Sequence, residues 1–83
     1  MLFRSAIARI EAFWEGVHEI AVLEAVKPRA KRLLGVHPLK AADAMQLGAA
    51  LAAVYDDPLG WEFVCLDRGL GAAARREGFA VVP

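Results

Sequence analysis

The chain has 83 residues, enough for at most one small domain. Ten basic and ten acidic residues cancel, so net charge offers no argument for a nucleic-acid or membrane partner. At 58% hydrophobic it exceeds the roughly 45–50% usual for a soluble domain; that surplus on so short a chain suggests that a partner covers part of it. The single cysteine, Cys65, excludes an intrachain disulfide, reads as a buried small hydrophobe and suits a cytoplasmic location. Glu11 and Glu15 stand where a signal peptide would be apolar, and the longest apolar stretch, Leu47 to Tyr55, is far below the ~20 residues a spanning helix needs, so no membrane partner is expected.

In chain order, Leu2, Phe3, Ala6, Ile7, Ile10, Phe13, Trp14 and Val17 recur at spacings of three and four and predict an amphipathic helix ended by Gly16. Phe13 and Trp14 at that spacing read as core more readily than as stacking platforms for a base. His18 to Leu23 is short, partly β-branched and mostly apolar, which predicts a strand. Glu24 to Leu34 predicts a helix; because Pro28 is tolerated only in a first turn, its regular part is expected to begin near Lys27. Val26, Ala30, Leu33 and Leu34 form its apolar face. Lys27, Arg29, Lys31, Arg32 and, further on, Lys40 make a basic cluster with no acid between, read as a solvated face and as weak support for a polyanion partner. Gly35 closes the helix, and His37 before Pro38 reads as a connector residue with nothing adjacent to orient it as a base.

Lys40 to Tyr55 is a long alanine-rich helix carrying one acid, Asp43. Asp costs roughly 0.5–0.7 kcal/mol against Ala in a helix interior. Asp43 therefore either faces water beside Lys40, a pairing worth about 0.2–0.5 kcal/mol, or points into a site. Asp56–Asp57–Pro58 and Gly60 read as a turn. Trp61 to Leu66 predicts a strand apolar enough to be buried on both faces of a parallel sheet. Asp67 follows at its carboxyl end, where open α/β sheets bind ligands, although Asp is also a preferred helix N-cap. Arg68 to Glu77 predicts a helix closed by Gly78, and Phe79 to Val82 a last strand. The alternation of strands and helices predicts an α/β fold with a parallel sheet.

The runs HPLKAADAMQLGAAL and FVCLDRGLGAAARREGFAVV resemble the C-terminal half of a PIN domain, the fold of VapC-type toxin ribonucleases. In that family a helix with an A-x-D-A-x-x-L-A-x-A pattern is followed by a strand ending in Asp, then a short helix and strand. Asp43 matches the helix acid and Asp67 the strand-end acid, over a likeness spanning roughly residues 17 to 82. The resemblance implies a single truncated PIN-like domain over residues 1–83, a partial parallel sheet of three short strands flanked by four helices, with the family's first strand absent. It implies a Mg²⁺- or Mn²⁺-dependent endoribonuclease of a toxin–antitoxin system, with Asp43 and Asp67 as catalytic metal ligands for a hard cation that takes oxygen donors. RNA and an antitoxin are the implied partners, and Lys27, Arg29, Lys31, Arg32 and Lys40 would steer the RNA.

The family's first strand, ending in its first essential Asp, and a later helix bearing an essential Glu would lie N-terminal to Met1. Two carboxylates leave most of a Mg²⁺ shell to water and imply weak binding. A sheet without its middle strand has edges that recruit partners. A homo-oligomer or a complementary chain filling that gap is therefore expected. The alternative is a non-catalytic interaction or oligomerisation module derived from the same fold.

Overall fold

The computed structural model describes residues 19–83, with side chains from residue 23 onward. In chain order these form α1 (Glu19–Val36), α2 (Ala41–Ala53), β1 (Glu62–Val64), α3 (Arg68–Glu77) and β2 (Ala80–Val82). The described residues thus make a small α/β unit of three helices and one two-stranded sheet, fewer elements than the sequence predicts. The helix expected over residues 2–17 lies outside them. The strand expected over residues 18–23 is overturned: Glu19 to Leu23 are the start of α1. The apolar run is continuous with the helix below it, and no Gly or Pro separates Glu19 from Lys27, so the period of the longer segment prevails. Pro28, expected in a first turn, sits well inside α1. It has no N–H to give to the carbonyl one turn back, a loss that the burial around it offsets.

Val26, Ala30 and Leu33, spaced at four and three, are the fully buried face of α1. They meet α2, whose Ala44, Leu47, Ala50, Leu51 and Val54 are likewise buried. Gly48 marks the closest approach. A β-carbon there would come within 3.3 Å of the Ala30 nitrogen and of the Val26 carbonyl oxygen. The second core layer comes from the sheet and α3: Phe63, Leu70, Ala73, Ala74 and Phe79 join the same cluster, with the Phe63 and Phe79 ring centroids 5.5 Å apart.

The two strands are parallel, as the sequence predicts, with Glu62 opposite Ala80, Phe63 opposite Val81 and Val64 opposite Val82. Cys65 extends the pairing by donating its backbone N–H to the Val82 carbonyl at 2.8 Å. The expectation that β1 is buried on both faces does not hold: Phe63 is buried, Val64 is exposed and Leu66 is 88% exposed. Among the described residues, only one face of the two-stranded sheet finds helices to pack on. The helix Arg68–Glu77 has the predicted limits, and Gly78 closes it with φ of 111°. An L-residue rarely adopts that angle, and a β-carbon there would also meet Pro58 Cγ at 2.9 Å.

Charged side chains tie the helices together at their solvent edge. Arg29 donates from Nε and Nη2 to both carboxylate oxygens of Asp56, at 2.8 and 2.7 Å. Arg32 donates from Nη2 and Nη1 to Glu77, at 2.5 and 3.2 Å, and His37 Nε2 lies 2.7 Å from the same carboxylate. Asp56 is held below the usual carboxylate range by its hydrogen bonds from Arg29, and Glu77 by those from Arg32 and then His37, against the opposing effect of burial.

Because the folded Glu77 titrates below its ordinary value, its contribution is complete at neutral pH and is lost as pH falls through the lowered value. Arg32 is half exposed, so water screens that arm of the pair. Glu77→Gln is expected to lower the unfolding free energy by about 1 kcal/mol at neutral pH and by progressively less on acidification. Urea titrations of both proteins across that range check this; a penalty independent of pH would contradict it. Gly48→Val is expected to destabilise by about 1–3 kcal/mol, because backbone rather than a flexible side chain blocks the added atoms. Thermal melts measure it, with Gly35→Val, a position where a β-carbon meets nothing within 4 Å, as the comparison.

Candidate functional site

β1 and β2 both point their carboxyl ends at one cleft of about 380 Å³. Cys65, Leu66 and Asp67 reach it from the end of β1, Arg68, Gly71 and Arg75 from α3, and Val81 and Pro83 from β2 and beyond. The sheet end is where the fold rule expects a ligand, and Asp67 is there.

Asp67 has a structural duty as well. It is the N-cap of α3, with extended backbone, and its Oδ1 accepts from the Leu70 N–H at 2.9 Å. The N-cap reading of this residue holds, and the same residue also lines the cleft. Its Cys65 neighbour is half-buried rather than buried, lines the same cleft and donates from Sγ to the Asp67 carbonyl at 3.2 Å.

Asp43 is half-buried in the first turn of α2 and is not among the residues lining the cleft. The penalty for Asp in a helix interior does not apply there. The helix starts at Ala41 after Lys40, which supplies no side-chain cap, and an acid in the first turn is favoured by the exposed N–H groups and the helix dipole. The pairing of Asp43 with Lys40 is not formed, and Asp43 has no side-chain hydrogen bond or ion pair with any described residue.

Among the described residues there is no group of three or more His, Cys, Asp or Glu side chains able to hold a metal ion. In the cleft the donor set is poor for Mg²⁺ or Mn²⁺. One of the two Asp67 oxygens is committed to the helix cap, and Arg68 and Arg75 bring two positive charges to the same walls. The described residues by themselves do not fit a resident divalent metal.

The basic cluster divides. Lys27, Lys31 and Lys40 are exposed, but Arg29 and Arg32 are bound to Asp56 and Glu77. Two of the five residues read as an RNA-steering face are thus structural cross-links. His37, read from sequence as an unoriented connector, is in fact oriented by Glu77, and its side chain is only 6% exposed. Its Nδ1 is buried with no partner among the described residues, so this ring is closed to a substrate. Sequence reasoning missed the pair because its members lie forty residues apart. Sequence reasoning also passed over Arg68 and Arg75; their separation of seven residues, two turns along one helix face, was the available signal.

No protein family, no curated protein and no solved structure matches this chain. No described helix is long and apolar enough to cross a membrane.

The cap of α3 separates the two duties of Asp67. Asp67→Ala is expected to cost about 1 kcal/mol of stability, and Asp67→Asn only a fraction of that, because the amide oxygen still accepts from Leu70. Denaturant unfolding of the two variants decides it; equal losses would show that the charge, not the cap, carries the contribution.

Proposed function

We propose that this chain is a PIN-like module of an RNA-processing system, in which Asp43 and Asp67 are the family's helix and strand-end carboxylates. Hydrolysis of an RNA phosphodiester with Mg²⁺ or Mn²⁺ is not self-contained on this reading. It needs further acids, from a second copy, a complementary chain or residues beyond those described, because the described residues supply no group of three ligands. The observation that carries the reading is the position of Asp67, lining a cleft at the carboxyl ends of two parallel strands immediately before a short helix and strand. The order of α2, β1, α3 and β2 agrees with the likeness in the two quoted runs.

A second reading is a non-catalytic module that works through association. It is favoured by the commitment of Asp67 to the α3 cap and by the open edges of a two-stranded sheet flanked by exposed Leu59, Val64 and Leu66. A parallel sheet is ordinarily covered on both faces, and among the described residues this one is covered on one.

The two readings part on Mn²⁺-dependent cleavage of single-stranded RNA by the chain, Asp43→Asn and Asp67→Asn, assayed beside sedimentation of each protein. Under the first reading, cleavage depends on Mn²⁺ and falls by about 100-fold or more in both variants. Cleavage that survives both substitutions, or that persists in chelator, overturns the carboxylate assignment. Self-association with no cleavage at any metal concentration favours the second reading.

A further inference from the structure

We propose that the cleft at the end of the sheet binds a phosphate group through Arg68 and Arg75. The proposal goes beyond the carboxylate reading and does not need it, since it concerns an anion and two arginines rather than a cation and two acids.

The charges in the cleft favour an anion. Asp67 brings one negative charge, with Oδ1 already accepting from Leu70; Arg68 and Arg75 bring two positive ones. Neither arginine makes a side-chain hydrogen bond or ion pair with a described residue. That sets them apart from Arg29 and Arg32, whose guanidinium groups are each forked onto a carboxylate. A guanidinium presents a planar array of donors that matches phosphate oxygens two at a time. Two of them two turns apart on α3, facing one concavity, can take one phosphate from two sides.

Two of the backbone donors at the start of α3 are already engaged. The amides of Leu70 and Gly71, in the first turns of α3, are already bonded to the Asp67 carboxylate and carbonyl. Gly71 lies between the two arginines and presents no side chain, with Val81 packed behind it. The remaining walls, Leu66, Val81 and Pro83, are apolar and suit the face of a base or sugar. At about 380 Å³ the cleft falls within the range of roughly 300–1,000 Å³ typical of small-ligand sites, room for a nucleotide.

A phosphate ester of this kind arrives either as a mononucleotide or on an RNA strand, and the test separates them. Amide resonances of residues 65–71 and 75 are followed by NMR as the chain is titrated with inorganic phosphate, adenosine 5′-monophosphate, and a short oligoribonucleotide with and without a 5′-phosphate. The expected result is saturable shifts confined to those residues, weakened by added salt. Arg68→Gln and Arg75→Gln are each expected to weaken binding about 10-fold. Asp67→Asn keeps the cap, removes the repelling charge and is expected to tighten binding about threefold. Preference for the monophosphate, or for the 5′-phosphorylated strand, identifies the source. Absence of shifts at these residues overturns the proposal, as does unchanged affinity in both arginine variants or weakening in Asp67→Asn. Circular dichroism confirms that each variant folds. The carboxylate reading fails separately, if Mn²⁺-dependent cleavage survives Asp43→Asn, which this titration does not touch.

Discussion

The close approach of α1 and α2 at Gly48 is the constraint on which the rest of the fold depends. With the Ala30 nitrogen and Val26 carbonyl so near, a β-carbon at position 48 would push the helices apart by a few tenths of an ångström; without one, Ala30 and Leu33 seat among Ala44, Leu47 and Leu51, and Val26 against Ala49. An alanine-rich helix has little area per residue to bury, so it gains stability by bringing backbones close rather than by interlocking large side chains. The seated α2 then offers Ala50, Leu51 and Val54 to Phe63, Leu70 and Phe79. The short strands and α3 are positioned by that second surface, and with them the cleft. A sheet of two three-residue strands has little standing alone; it is held because Phe63 and Phe79 are anchored in the helical core.

The ion pairs act at a different level. Arg29 with Asp56, and Arg32 with Glu77 and His37, join α1 to the turn after α2 and to the end of α3. The more exposed of these, Arg29 with Asp56 and Arg32 with Glu77, contribute about 0.2–1 kcal/mol each, too little to hold the fold but enough to fix how the elements sit. Tyr55 and Asp56 both have φ near +55°, at 53° and 58°. Asp tolerates that region better than most residues, and the forked contact from Arg29 holds Asp56 in it. What looked like a basic face for an anionic partner is therefore partly the means by which the turn is pinned.

Much of this was legible wherever local signals agreed. Arg68 to Glu77 carries an N-cap Asp ahead of it and a Gly after it, and the structure has those limits. The parallel pair was implied by two short apolar runs separated by a helix. The failures have a common cause. The short run of mixed propensity ending at Leu23 predicts a strand on its own, yet Glu19 to Leu23 continue into the helix, and at Pro28 the buried Val26 and Ala30 on either side override a strong local rule. His37 with Glu77, and Arg29 with Asp56, are contacts between residues far apart in sequence, which no local period encodes. The helix-interior cost does not apply to Asp43, because α2 starts at Ala41 and the acid is favourably placed in its first turn.

Asp67 shows why cap and site need not compete. A cap uses one carboxylate oxygen and points the side chain along the helix start, which here is also the mouth of the cleft. The second oxygen is left to whatever occupies that space. With no other acid lining the cleft, and with Arg68 and Arg75 on its walls, a lone divalent cation would meet net repulsion, whereas a phosphate would meet two donors and one repelling charge. Only additional carboxylates beside Asp67 would reverse that balance, so the local count of acids against arginines decides which sign of ligand this cleft favours.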